Sequence, residues 1–229
     1  VSQRTKRRGK HRYNGRAEML KVPLTVPAVP APALLKLDIG CGTAKREGFL
    51  GVDAIDFPGV DVVMDVRTQW PWPDNSVAEV HCSHFLEHLT GLERVHFANQ
   101  LYRVLVPGEI GPASLPVKGF ATVIVPHWCS HRAYGDPTHQ WPPVSEMWFY
   151  YLSRDWRLGN PETGMPANAP HTDDGAGLMA EGFSCNFEAR WGYSFHPELM
   201  TRAEPVRQDA AKWRKEAIQD MQALLIKRA

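Results

Sequence analysis

Two stretches of this chain combine residue types and spacings suited to chemistry. The first is Leu37-Asp38-Ile39-Gly40-Cys41-Gly42-Thr43. Two glycines flanking one residue let the main chain turn tightly and approach a ligand with no Cβ in the way. Carboxylates recur downstream: Asp53 closes Gly51-Val52-Asp53, and Asp65 closes the apolar run 60–65. In an open α/β sheet an acid after the second strand typically takes ribose hydroxyls. Asp53 has that position, and Asp65 is placed to meet an adenine amino group. The combination suits a nucleotide-like cofactor at the carboxyl edge of a parallel sheet.

The second stretch is rich in histidine, His81-Cys82-Ser83-His84-Phe85-Leu86-Glu87-His88, and continues in Pro126-His127-Trp128-Cys129-Ser130-His131 and residues 134–139. Strand alternation puts His81 and Ser83 on one face and Cys82 and His84 on the other. His84 is the best placed to line a reaction pocket and is a candidate general base. Glu87 and His88 are read as the start of the next helix, serving either architecture or chemistry. Asp136-Pro137 favours a turn that presents Tyr134 and His139 to the pocket; a hydrogen-bonded loop clamp is the alternative. His127, Cys129, His131 and His139 also invite a zinc reading. Their spacing differs from that of the common structural sites, and no metal is expected.

These residues need strands and loops to hold them. Apolar runs predict strands at 33–39, up to Asp53, at 60–65, at 77–83 and at 120–126, with a helix over 91–105. Only residues 41–49 join the first two strands, whereas a parallel crossover needs a dozen or more. A helix there is expected to shrink to a turn or vanish. Ser145 can cap a helix with Trp148, Phe149 and Leu152 inward. Tyr150 and Tyr151 are adjacent, so one is expected at the surface. The aromatic residues of 128–156 read as core, or as a platform for stacking on a flat ring. Residues 160–177, rich in Pro, Gly, Asn and Asp, read as a lid over the acceptor site. Gly182-Phe183 is expected to open a strand that turns near Ala189-Arg190 and pairs with residues 191–195. Apolar positions 206, 210, 213, 217, 218, 221, 224 and 225 predict one helix over 206–225, docked on the sheet or pairing two subunits.

The ordered blocks resemble the class I S-adenosylmethionine-dependent methyltransferases. The resemblance rests on residues 37–43, Gly51-Val52-Asp53, Trp72-Pro73-Asp74-Asn75-Ser76-Val77, Ser83-His84-Phe85-Leu86-Glu87-His88-Leu89 and Leu101-Tyr102-Arg103-Val104-Leu105-Val106-Pro107-Gly108. Residues 134–139 and 145–152 are similar to a lineage of bacterial and phage members. The resemblance implies an α/β, Rossmann-like fold: a mostly parallel seven-stranded sheet, an antiparallel terminal hairpin and helices on both faces. It implies an S-adenosyl-L-methionine site made of Asp38, Gly40, Cys41, Gly42, Thr43, Asp53, Ala54, Asp65, Val66 and His84. It singles out His84, Asp136 and His139 for catalysis. A sulfonium methyl is already activated, so transfer is an in-line displacement in which orientation can supply effective molarities of roughly 10⁵–10⁸ M. A base is needed only if the acceptor must lose a proton.

Composition bounds the rest. With 229 residues, 43% of them hydrophobic, one core is expected over residues 33–229. The net charge of +1 hides an asymmetry. Arg4, Lys6, Arg7, Arg8, Lys10, Arg12, Arg16 and Lys21 face Glu18 alone, leaving 18 basic and 24 acidic residues in the remainder. Residues 1–32 are therefore read as a flexible basic arm with a Pro-rich spacer. The arm either contacts nucleic acid through residues 4–21 or solubilises the chain. The start at Val1 is read as a lost initiator Met or a processed or re-annotated start. No secretory signal and no membrane span is recognised, and four scattered cysteines fit a reduced, cytoplasmic setting. No Asp-Pro-Pro-Tyr or Asn-Pro-Pro-Tyr tetrad and no paired cysteines occur, which argues against a DNA base as acceptor. A small molecule, a sugar or an RNA hydroxyl is favoured. The alternative is a non-catalytic cofactor-binding protein associated with nucleic acid or a virion through its arm.

Overall fold

The computed structural model describes residues 34–175 and 181–229; the basic arm and its spacer lie outside them. In chain order the elements are β1 (Leu35–Ile39), β2 (Leu50–Asp53), β3 (Val62–Val63), β4 (Val77–Ser83), α1 (Gly91–Val104), β5 (Glu109–Ile110), β6 (Pro116–Lys118), β7 (Phe120–Pro126), α2 (Glu146–Tyr151), α3 (Arg154–Leu158), β8 (Phe187–Phe195), α4 (Pro197–Met200), α5 (Glu204–Trp213) and β9 (Ile218–Lys227). Seven strands form one sheet in the order β3-β2-β1-β4-β7-β9-β8, and β5 pairs with β6 separately. The first five strands of that order are parallel, while β9 runs antiparallel between β7 and β8. The chain leaves β1 toward β2 on one side and returns to β4 on the other. That reversal opens a crevice beyond the carboxyl ends of the central strands.

The core follows from the sequence. Leu37, Ile39, Val52, Val80, Cys82, Val123 and Val125 are fully buried on central strands, as expected where a parallel sheet is covered. Among the described residues α1 is the one helix that crosses between parallel strands. Its start is a capping box, with Thr90 N–H donating to Glu93 Oε2 at 2.7 Å and Glu93 N–H to Thr90 Oγ1 at 3.4 Å. The loop after β3 packs on α1 through Trp70, whose ring meets Phe97 edge-on at 5.6 Å. The β1–β2 connection is helix-free, as its length requires. Lys45 holds it by bonding Asp61, which also accepts from Gly51 N–H at 2.7 Å.

Several expectations need correction. The third strand is Val62–Val63 rather than 60–65. Glu87 and His88 do not begin α1; they form a separate 3₁₀ turn, Leu86–His88, after which Thr90 caps the helix. The 206–225 helix is two elements, α5 and β9, parted by a turn in which Glu216 takes φ +66°. From Met221 the buried positions alternate through Ala223 and Leu225, a strand period that the bulkier Leu224 masked. The terminal hairpin exists, but β8 runs unbroken through Ala189-Arg190 and pairs with β9. Pairing with two neighbours overrode the local helical spacing. Ser145 precedes α2 without a side-chain cap bond. Tyr150, at 41% exposure, is the outward member of its pair. No described helix is long and apolar enough to cross a membrane.

Candidate functional site

The turn after β1 is built as its glycines predict. Gly40 has φ +68° and Gly42 φ +51°, left-handed conformations that disfavour a side chain. A Cβ on Gly40 would stand 2.4 Å from Phe85 Cδ2, so the Phe85 ring lies flush against bare main chain. Phe85 reaches this place because β4 ends at Ser83 and His84, with a φ of +52°, turns the chain sharply.

Around this contact three adjoining clefts open at the carboxyl edge. One, of about 210 Å³, is lined by Gly40, Asp53, Ala54, Met64, Asp65, Val66, Arg67, Phe85, His88 and Leu89. A second, of about 330 Å³, is lined by Asp38, Gly40, Cys41, Ala44, Arg46, His81 and Ser83. The third, of about 580 Å³, lies among His84, Glu87, His88, Pro126, His131, Arg132, Gly135, Asp136, Pro137 and His139. Gly40 borders the first two and His88 borders the first and third. The first is shaped for a nucleoside, with an apolar wall and a carboxylate at one edge.

Asp53 accepts from Gly42 N–H at 2.9 Å and from Ile55 N–H at 3.0 Å. Each oxygen keeps a lone pair for a hydroxyl, and the first bond fixes the glycine turn. Asp38 is buried and accepts from Arg46 N–H at 2.7 Å, bracing the same turn. Asp65 lines the same cleft as Asp53. Its two oxygens take a bidentate bond from Arg67, with Nε at 2.8 Å and NH2 at 2.7 Å. It borders the nucleoside cleft with its charge already paired, and Arg67's hydrogen bonds hold it below the usual carboxylate range. Thr43 is exposed and borders none of the three clefts. Burial raises the Cys41 thiol, with Asp38 and Asp53 adding to it, so Cys41 is a neutral wall.

The catalytic candidates come together in the third cleft. His84 lies there rather than in the nucleoside cleft, with Nδ1 3.4 Å from Glu87 Oε1. The Glu87 hydrogen bond raises its pKa against burial, so its imidazolium persists to higher pH than in an ordinary histidine. Asp136 accepts from Thr138 Oγ1–H at 2.7 Å and Thr138 N–H at 2.8 Å. Those bonds hold it below the usual range, and it is a poor proton acceptor. His139 packs edge-on against His88, ring centroids 4.7 Å apart. Tyr134 is exposed and outside the cleft lining.

The four residues that invited a zinc reading do not converge on one point. His127 is buried between Cys129 Sγ and Glu146 Oε1, each at 2.9 Å, and His131 pairs with Glu216 at 2.8 Å. The 160–175 loop supplies no residue to the third cleft; it borders a separate groove with Arg154 and Asn186, tied down by the ion pair of buried Arg157 with half-buried Asp173. Phe85, Met64, Leu89 and Arg67 were missed by residue-type reasoning. The glycine at 40 was the available signal, because a close approach requires an approaching group.

No family model and no curated protein matches the chain. Among solved structures it is similar to a SAM-dependent methyltransferase from Archaeoglobus fulgidus, with 20% identity over 85% of this chain and 87% of that one and a TM-score of 0.51. Another similar structure is an S-adenosylmethionine-dependent methyltransferase from Mesorhizobium loti, with 12% identity over 85% and 91% of the two chains and a TM-score of 0.41. The first likeness agrees with the strand order and the closing hairpin: the chain has the Rossmann-like fold of the class I S-adenosylmethionine-dependent methyltransferases.

Proposed function

We propose that this protein is an S-adenosyl-L-methionine-dependent methyltransferase. The observation that carries the reading is adjacency. The cleft at Gly40 and Asp53 shares His88 with a larger cleft lined by polar residues at the ends of β4 and β7. In this reading Asp53 grips the ribose and Phe85 and Val66 wall the adenine. The amino-acid end of the cofactor lies along Gly40, Cys41, Arg46 and Ser83. The sulfonium methyl then points into the third cleft, where the acceptor is held in line. His84, whose imidazolium persists to higher pH than an ordinary histidine's, faces the acceptor there, where it can donate a hydrogen bond or, once deprotonated, take up the acceptor's proton. A small molecule, a sugar or an RNA hydroxyl fits the cleft's polar lining, and basic residues 4–21 would add phosphate contacts to an RNA.

Calorimetric titration with S-adenosylhomocysteine tests the cofactor site, followed by labelled methyl transfer to fractionated RNA, protein and metabolites. Binding that weakens in Asp53→Ala, with label found in one fraction, is the expected result. Absence of binding rejects the reading. Binding without transfer, together with salt-sensitive nucleic-acid affinity lost on removing residues 1–21, replaces the enzyme with a binding module.

A further inference from the structure

Glu87, His88 and His139 bring one ligand-type atom each to within 4.8 Å of one another, on the wall of the third cleft. Glu87 is 3% exposed, and its Oε2 has no hydrogen-bond partner among the described residues. A desolvated carboxylate oxygen without a partner is costly and calls for a cation or a donor. The guanidinium nearest in sequence does not supply it. Arg94 donates instead to the carbonyls of Leu86, Pro142 and Gln140, at 3.1, 2.7 and 3.3 Å.

The hydrogen bonds also fix the histidine tautomers. Thr138 donates its hydroxyl proton to Asp136, so its Oγ1 can only accept from His88 Nδ1, 3.0 Å away. His139 Nδ1 lies 3.2 Å from the Ala133 carbonyl, which can only accept. Both rings therefore carry their proton on Nδ1 and hold the Nε2 lone pair free. An imidazole whose second nitrogen donates to a carbonyl or a polar oxygen is the usual state of a metal ligand. The two loops are locked together by Gln140 N–H, which donates to the Glu87 carbonyl at 2.8 Å, and by the Arg94 bonds above.

From this geometry we propose that Glu87, His88 and His139 form a site for one divalent transition-metal cation, with its open positions facing the acceptor cleft. Two imidazoles and a carboxylate suit zinc, manganese, iron or cobalt better than magnesium. Bonds of about 2.1 Å place ligand atoms roughly 3–3.5 Å apart, so the three side chains need close by only about 1 Å. Three protein ligands with open positions are the pattern of catalytic rather than structural sites. An acceptor oxygen would occupy one, and its hydroxyl proton would be more acidic there. The role toward the acceptor rests on the proposed methyltransferase reading; the metal site does not.

The test uses the full chain stripped with chelator and titrated calorimetrically with Zn²⁺. Cobalt(II) absorption reports the ligand field, and S-adenosylhomocysteine is titrated in the same preparations. One zinc per chain is expected. Glu87→Gln and His139→Ala should each weaken zinc at least tenfold, and Thr138→Val, which removes the acceptor for His88 Nδ1–H along with a bond to Asp136 but no proposed ligand, about tenfold. All three should keep cofactor affinity within about twofold. No stoichiometric zinc in the unaltered chain, or affinity unmoved in both ligand variants, overturns the site. Should a ligand variant fail to fold, unchanged zinc affinity in Thr138→Val overturns it equally. Loss of cofactor binding with zinc retained rejects the methyltransferase reading and leaves the metal site standing.

Discussion

At the end proposed for the cofactor the cleft is built around a turn of bare main chain. Gly40 and Gly42 turn with positive φ, Asp53 bonds the second of them, and Phe85 lies on the first. At the end proposed for the acceptor the surface is side chain. His84, Glu87, His88, Asp136 and His139 converge from two loops separated by some fifty residues, held by Thr138 and Arg94. The turn at the first end is fixed by backbone torsions and one close contact, and tolerates little change. The second depends on long-range pairing of polar groups, and its parts can be altered one at a time. A fold shared widely can keep the first and vary the second.

That contrast can be broken by substitution, and the largest effect is expected at Gly40. Gly40→Val should abolish cofactor binding in a calorimetric titration, because the side chain would enter the Phe85 ring from a left-handed backbone. Normal binding by a folded variant would show that the turn is not where the cofactor sits. Asp53→Ala should weaken cofactor affinity by about 1.5–3 kcal/mol, the scale of charge-assisted hydrogen bonds. An unchanged dissociation constant removes its ribose role. At the other end, His139→Ala should lower turnover at least tenfold, a typical share for a positioned catalytic group. Cofactor affinity should stay level; equal loss of both would mean that the two ends are not separable.

Acid titration sharpens the comparison with a group that supports the acceptor loop from behind. Burial raises Glu146, the largest single influence, but the His127 hydrogen bond, backbone bonds, the His127 charge and Tyr193 together hold it down to about 2. A carboxylate depressed on folding stabilises the protein fully above its ordinary pKa and loses that contribution as pH falls toward its folded value. Stability measured by denaturant should therefore drop between about pH 4.5 and 2, and less steeply in Glu146→Gln. Identical slopes would show that the His127–Glu146 pair contributes nothing. The smallest effect is expected from Thr43→Ala: Thr43 follows the glycine turn in sequence yet is exposed and off every cleft wall. A change in cofactor affinity beyond about twofold, the reach of a weak hydrogen bond, would return it to the site.

Legibility in the sequence divides along the same line. β4 and β7 begin and end where the sequence predicts, because each carries its buried apolar residues within one short stretch. The missing β1–β2 helix was legible from chain length alone. The terminal region was not: Met221, Leu224 and Leu225 fit a helix as well as a strand, and only pairing of β9 with both β7 and β8 decides between them. In the site, Asp53 was legible from its place after a strand. Asp65 also lies on the wall of the same cleft, and what its position did not reveal is that Arg67, two residues on, bonds both its oxygens. His139 was noticed as a residue type, but its neighbours His88 and Glu87 were not linked to it.

The amino-acid sequence by itself determined the glycine turn, the acid that faces it and the central parallel strands. These depend on backbone torsions and apolar runs that act within a few residues. Only the tertiary structure decided which polar side chains meet. Hydrogen bonds such as those joining Arg94 to Pro142 or His88 to Thr138 span 48 and 50 residues. Their directional geometry exists only after the sheet has brought the two loops to the same edge.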